Sequence, residues 1–118
     1  MKENVILDKS YQFALKIVKV HTYLNKEQNE HVLSKQLLRS GTAIGALVSE
    51  SKFAQSKSDF INKMSIALKE ANETKYWINL LCESSFISEK IFQSIYTEIK
   101  ELISIIVAIV KTSKGIRN

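Results

Sequence analysis

The chain has 118 residues, of which 45% are hydrophobic and 25% are charged, with three glycines and no proline. A chain of this length can bury one core and is too short for two, so residues 1–118 are predicted to form a single domain. Seventeen basic and twelve acidic side chains give a net charge of +5 and a pI near 9.3, which favours an anionic partner, nucleic acid before others.

The N-terminal segment and the longest apolar run argue against export and membrane insertion. Residues 1–10 carry four charges and lack the apolar run of a signal peptide. The longest uncharged apolar run, residues 102–110, has nine residues, whereas a membrane-spanning helix needs about 20. Cys82 is the only cysteine, so no intrachain disulfide can form, which agrees with a reducing compartment. We therefore expect a cytoplasmic protein in which Cys82 fills the core and has no catalytic role.

The scarcity of helix breakers and the helical spacing of apolar residues predict an all-α protein with four helices. The first helix is predicted over about residues 9–24, with Asp8 or Ser10 as its N-cap. Its core-facing apolar positions are Phe13, Ile17, Val20 and Leu24. A second, adjoining apolar row contains Tyr11, Leu15 and Val18. Four lysines lie within about 100° of one another around this helix, Lys9, Lys16, Lys19 and Lys26. This stripe is either a solvated face or a track for phosphates.

A short polar connection predicts that the second helix, about residues 31–53, returns antiparallel to the first. Gly41 and Gly45 lie four residues apart on one face of this helix, although glycine inside a helix costs about 1 kcal/mol relative to alanine. Close approach of another helix explains both glycines, whereas a phosphate-binding glycine loop would need a preceding strand, which is absent from the pattern. Arg39 and Glu50 are nearly in line on the helix and are placed to form ion pairs with one neighbour.

The third helix is predicted over about residues 58–83, where Ser56 and Asp59 have the form of a capping box. Its apolar seam repeats at alternating spacings of four and three residues, which is typical of left-handed bundle packing. The seam contains Phe60, Met64, Ala67, Ala71, Thr74, Ile78 and Leu81.

Glu70 and Glu73 share a face of the third helix outside the seam. Paired carboxylates in a four-helix protein can ligate two irons, but the known sites add Glu-x-x-His motifs, which this chain lacks. We expect these carboxylates to pair with Arg39 or a lysine, because acid–base catalysis would need a pocket and a raised pKa that no motif indicates. His21 and His31 are assigned no metal, and no cofactor is predicted.

The fourth helix is predicted over about residues 88–113, with Gly115 closing it. Its core row contains Phe92, Ile95, Ile99, Leu102, Ile106 and Ile109. A second apolar row contains Tyr96, Ile103, Val107 and Val110. A monomer cannot easily bury both rows, so we predict a homo-oligomer with the second row at the interface. Lys111, Lys114 and Arg117 either complement the dipole of the helix C-terminus or extend a basic surface.

Two stretches carry a resemblance to a known family, LLRSGTAIGALVSE at 37–50 and DFINKMSIALKEANETKYWINLL at 59–81. They resemble the four-helix bundle family encoded in intervening sequences of bacterial 23S rRNA genes. The pattern and length of the other two helices extend the likeness over nearly the whole chain. The family's signature positions correspond here to Arg39, Gly41, Gly45, Glu50, Glu70, Glu73, Tyr76 and Trp77.

The resemblance implies an up-down-up-down antiparallel bundle that assembles as a homopentameric ring, and it implies no catalytic activity. It also implies contact with nucleic acid and with a protein such as a reverse transcriptase, because related accessory proteins of diversity-generating retroelements bind both. The first hypothesis is therefore non-specific binding of RNA or DNA backbone by the lysines of the first helix and the C-terminal basic cluster. The second is a protein-interaction scaffold with no nucleic-acid role, and a metal or hydrolytic enzyme is a third.

Overall fold

The computed structural model describes the backbone of residues 2–115 and the side chains of residues 4–115. It contains four helices, α1 (Lys2–Lys26), α2 (Leu33–Ser51), α3 (Lys57–Glu83) and α4 (Glu89–Ser113), and no strand occurs in this part of the chain. The prediction of an all-α chain with four helices is confirmed. None of these helices has the length and apolar content needed to cross a bilayer.

The first helix differs most from its prediction. Because α1 begins at Lys2, Asp8 and Ser10 lie inside the helix, and the prediction that one of them is the N-cap is wrong. Ser10 is fully buried, and its hydroxyl donates to the carbonyl of Leu7 at 3.2 Å, which satisfies it within the helix. Ile6 is buried in the core, so tertiary packing stabilises the added turns. The other three helices begin and end within two residues of their predicted limits.

The start of α2 is capped by the carboxylate of Glu30, a role that local sequence patterns did not indicate. Glu30 accepts hydrogen bonds from the backbone N–H groups of Val32 at 3.0 Å, Leu33 at 3.0 Å and Ser34 at 2.7 Å. These are N–H groups that a helix start leaves without intrahelical partners. Burial raises the pKa of the Glu30 carboxyl, but the hydrogen bonds outweigh it and hold the pKa below its ordinary value. Glu30 is therefore the cap of α2.

Serine side chains cap the next two helices. The Ser56 hydroxyl accepts from the N–H of Asp59 at 3.0 Å, which confirms the predicted cap of α3. The Asp59 carboxylate accepts from the N–H of Gln55 at 3.2 Å, so the reciprocal half of the capping box involves a different residue. Ser88 caps α4, and Gly115 follows that helix with φ of +77°, a left-handed conformation that favours glycine.

The core lies between the four helices, each of which contacts the next in the chain, while α1 also contacts α4. Within α3, every member of the predicted seam is buried except Phe60, which is half-buried. The large, fully buried side chains come from all four helices and include Phe13, Ile17, Leu24, Leu37, Ile44, Met64, Ile78, Leu81, Ile95, Ile99 and Leu102. Apolar periodicity therefore identified most of the core, although Phe92 of the predicted α4 row is also only half-buried.

The glycines of α2 face residues of α1 at close range. A Cβ atom added at Gly41 would lie 3.0 Å from both Cγ atoms of Ile17. A Cβ at Gly45 would lie 3.3 Å from the carbonyl oxygen of Ser10. The prediction that both glycines allow close helix packing is confirmed, because side chains at these positions would press on α1.

Candidate functional site

The predicted lysine stripe of α1 is divided by its contacts with α4. Toward the start of α1, Lys9 Nζ lies 3.2 Å from Glu101 Oε1. Asp8 and Glu98 line the same pocket, which has a volume of about 210 Å³. Lys16, two turns further along α1, forms an ion pair with Glu98. Two of the four lysines are thus partly neutralised by carboxylates, so the stripe does not form a continuous track for phosphates.

A basic groove lies further along the same seam, between the second half of α1 and the start of α4. Lys16, Lys19 and Lys90 provide three ammonium groups along its edges. Its other lining residues are Val20, Ser88, Ile91, Ser94 and Ile95, and its volume is about 540 Å³. Glu98 pairs with Lys16 just outside this lining, so Lys19 and Lys90 give the groove its net positive charge. It is the strongest candidate for an anion-binding site among the described residues.

Lys90 was missed by sequence reasoning. It lies 71 positions after Lys19 in the chain, and no local motif connects the two. Only the packing of α4 on α1 brings them to the same groove. The available signal was the predicted antiparallel topology, which places the first turn of a fourth helix beside the last turns of a first.

The remaining predicted nucleic-acid contacts are not gathered around the basic groove. Lys26 is exposed in the last turn of α1. Lys111 is half-buried near the end of α4, and Lys114 is exposed immediately after it. At 1.5 Å per residue, Lys114 is roughly 30 Å along the helix from the Ser94 end of the groove. Arg117 lies outside the described residues. The C-terminal cluster therefore cannot share a small ligand with the groove.

Several family signature residues meet on the outer surface of α2 and α3. Arg39, Glu70 and Glu73 line a polar hollow of about 290 Å³. The expected pairing of these carboxylates with Arg39 or a lysine is not found, since no described ion pair includes any of the three. Glu50 does form an interhelical pair, with its Oε1 atom 3.3 Å from Lys63 Nζ of α3. One of the two expected ion-pairing residues thus behaves as predicted.

Two aromatic side chains extend this α2–α3 surface. The indole N–H of Trp77 donates to the Glu73 carboxylate at 3.2 Å. The Tyr76 side chain is 59% exposed, and its ring meets that of Trp77 edge-on with centroids 5.0 Å apart. Trp77 itself is partly buried against the core. The surface therefore combines charged and aromatic groups, which is typical of protein-binding surfaces.

The second apolar row of α4 is more covered than the sequence suggested. Tyr96, Ile103, Val107 and Val110 are all half-buried within one chain. The Tyr96 ring stacks on Phe92 with centroids 4.8 Å apart, and Lys75 Nζ of α3 lies 5.9 Å from its centroid. Packing against α3 thus covers part of the row that was predicted to need another chain.

More fully exposed apolar side chains lie on α1, in its predicted second row. Tyr11 is 61% exposed, Leu15 44% and Val18 46%. Tyr11 also lines a groove between α1 and α2 that includes Gly45. These three side chains form the α1 apolar row, a surface that water contacts in the single chain and that an oligomer could cover.

The thiol of Cys82 lies in surroundings that disfavour its ionised form. Burial raises its pKa, and Glu89, with a carboxylate oxygen 3.9 Å from Sγ, and Glu83 raise it further. A nucleophilic cysteine needs the opposite shift. Within the described residues, no three histidine, cysteine or acidic side chains gather to hold a metal ion.

A family model and a solved structure that match this chain agree with each other. The family model described as 23S rRNA-intervening sequence protein matches residues 2–108. A crystal structure from Bacteroides thetaiotaomicron, described as a protein with unknown function from the S23 ribosomal protein family, superposes with a TM-score of 0.92 at 50% sequence identity. The superposition covers 94% of this chain and 99% of that one. No curated protein matches the chain.

Proposed function

Because the chain belongs to the 23S rRNA-intervening sequence protein family, we propose that it is a cytoplasmic, non-enzymatic, homo-oligomeric bundle that binds nucleic-acid backbone without sequence specificity. The basic groove carries this proposal, since the exposed Lys19 of α1 and Lys90 of α4 converge there beside Lys16, which pairs with Glu98. Lysine contacts to phosphate supply affinity but read no sequence. The similar crystal structure is named for a ribosomal protein family, which makes RNA the first ligand to test.

A salt titration tests this function. Labelled ribosomal RNA and random single strands are titrated at low and near-physiological salt, and binding should weaken as salt rises. The slope of log affinity against log salt is negative, and Lys19→Glu combined with Lys90→Glu should make it less steep by about 1.4. This change corresponds to two lost single-strand phosphate contacts. The matched control is Lys52→Glu combined with Lys57→Glu, two exposed lysines at the connection between α2 and α3.

The control has the same change in net charge, so it separates the groove from the general field of the protein. If both double variants weakened RNA binding equally, the groove would not be the binding site. Absence of binding to every strand at low salt would contradict the nucleic-acid function itself.

We also propose the finer topology, an antiparallel, left-handed bundle. Contacts between α1 and α2 support the antiparallel arrangement, because later positions in α2 contact earlier positions in α1. Gly41 of α2 lies against Ile17, and Gly45, one turn later in α2, lies against Ser10, two turns earlier in α1. The seam of alternating spacings on α3 supports the left-handed packing.

Assembly into a ring, with five subunits as the first expectation, needs two unlike surfaces that meet head to tail. The α1 apolar row and the half-buried row of α4 support this assembly, because they lie on different helices. Leu15→Glu should lower the native mass measured by light scattering, whereas Asn62→Glu, at an exposed polar residue of α3, should not. An unchanged mass for folded Leu15→Glu would exclude the α1 apolar row from the interface.

A protein-interaction scaffold is the second candidate function. It is favoured by the α2–α3 surface, where the hollow lined by Arg39, Glu70 and Glu73 adjoins the exposed Tyr76 ring. Arginine and tyrosine are enriched at energetically important positions of protein interfaces. An oligomer that ignores RNA at every salt concentration would support this function. Tyr76→Ala would then be the variant to compare in a search for protein partners, such as a reverse transcriptase.

A further inference from the structure

The basic groove has an apolar floor as well as charged edges. The apolar surface that a ligand can reach comes from Ile91, which is half-buried, and from Val20, which is 9% exposed, whereas Ile95 is only 1% exposed and offers almost none. The backbones of α1 and α4 approach each other closely at fewer positions than those of the other three neighbouring helix pairs. The groove has a volume of about 540 Å³ and is widely open to solvent, so a bound group would remain partly exposed. Its occupant should therefore present both negative charge and an apolar face.

Double-stranded nucleic acid satisfies only half of this requirement. A duplex presents phosphates outward and keeps the faces of its bases stacked inside, so it would contact the lysines and leave the apolar floor uncovered. Single strands offer unstacked base faces next to phosphates, and proteins usually bind such faces on aromatic rings without regard to base identity. The groove has no aromatic ring in its lining, so the aliphatic side chains of Ile91 and Val20 take that place.

From this combination we infer that the basic groove selects single-stranded over double-stranded nucleic acid, by accepting one unstacked nucleotide between α1 and α4. This inference rests on the proposed function. The base lies against Ile91 and Val20, while the exposed Lys19 and Lys90 contact the flanking phosphates.

The ammonium group of Lys16 already has two partners within the protein. This group donates to the Ser94 hydroxyl at 2.6 Å and pairs with the Glu98 carboxylate. A phosphate entering the groove would compete with Glu98 for Lys16. Glu98→Gln removes this competition, so it should tighten single-strand binding about threefold. The slope of log affinity against log salt should become steeper by about 0.7, because Lys16 would then make one further phosphate contact.

The test compares three polyanions by fluorescence anisotropy at one low salt concentration. The probes are labelled oligo(U), the same strand annealed to oligo(A), and poly-glutamate of matched charge, which has no bases. We expect oligo(U) to bind at least tenfold more tightly than the duplex or poly-glutamate. Ile91→Ala, which shortens the floor at a half-buried position, should weaken oligo(U) binding about fivefold and leave duplex binding unchanged.

The outcomes separate this inference from the proposed function. Equal binding of single strand and duplex, both weakened by Lys19→Glu with Lys90→Glu, would overturn the inference and leave the proposed function intact. Poly-glutamate binding as tightly as oligo(U) would overturn the inference in favour of an acidic peptide. Failure of all three probes to bind would overturn both. Thermal unfolding of Ile91→Ala by circular dichroism verifies that its effect is not caused by a disrupted fold.

Discussion

Replacing Gly41 by alanine tests the close contact of α1 and α2 quantitatively. Alanine inside a helix is more favourable than glycine by about 1 kcal/mol. Here the added Cβ would lie 3.0 Å from Cγ1 and Cγ2 of Ile17, which is fully buried and cannot move aside freely. Overpacking of this kind costs about 1–3 kcal/mol. The net expectation is that Gly41→Ala lowers the free energy of unfolding by about 1 kcal/mol.

Ile17→Ala provides the matching half of a double-mutant cycle. It removes both Cγ atoms and leaves the Ile17 Cβ position 3.4 Å from the new methyl group, an ordinary contact. In that background, Gly41→Ala should raise the free energy of unfolding by about 1 kcal/mol, the full gain in helix propensity. The coupling energy between the two positions is therefore expected to be about 2 kcal/mol.

Urea unfolding of the four proteins, followed by circular dichroism at one protein concentration, measures this coupling. Gly45→Ala is an informative comparison, since its Cβ would lie 3.3 Å from the Ser10 carbonyl oxygen and need only a small adjustment. We expect that variant to change stability by less than about 0.5 kcal/mol, because the propensity gain and the tight contact nearly cancel. A Gly41→Ala effect that is stabilising and equal in both backgrounds would refute the close approach.

Three further predictions concern single side chains. Glu30→Ala should lower the free energy of unfolding at pH 7 by about 1–2 kcal/mol, because three helix N–H groups lose their acceptor. The folded-state pKa of Glu30 lies below its ordinary value of 4.5, so this stabilisation is present above pH 4.5 and is lost as the pH falls through the folded-state pKa. A difference between the two proteins that persists unchanged into strong acid, measured by urea unfolding across pH, would contradict the assignment. Ser56→Ala should cost about 1 kcal/mol in the same assay at pH 7, and no loss would mean that the hydrogen bond to Asp59 contributes nothing. Iodoacetamide should alkylate Cys82 more slowly than a free cysteine at pH 8, because the raised pKa of Cys82 leaves less thiolate. Glu89→Gln should accelerate the reaction, because it removes one of the charges that raise this pKa. A wild-type rate equal to that of free cysteine would show that the thiol is unperturbed.

The sequence by itself determined which segments are helical and which faces of them are buried. The seam of α3 and the core row of α4 follow from spacing alone, because the period of an α-helix converts position in the chain into position around the helix. The role of Gly41 was equally accessible, since a costly residue on a buried face implies a neighbour that needs the space. Family membership was likewise accessible from two motifs and is confirmed.

The tertiary structure alone decided which groups from different helices meet. Helical spacing placed Lys9 and Lys16 on a basic stripe, but it could not show that Glu101 and Glu98 of α4 pair with them. It could not add Lys90 to the groove either, since that contact depends on how α4 is rotated and shifted against α1. The early start of α1 also depends on tertiary packing. Burial of Ile6 against other helices stabilises turns that local helix propensity alone did not predict. Local periodicity therefore specified the elements and their buried faces, and the packing of one helix on another specified the candidate site.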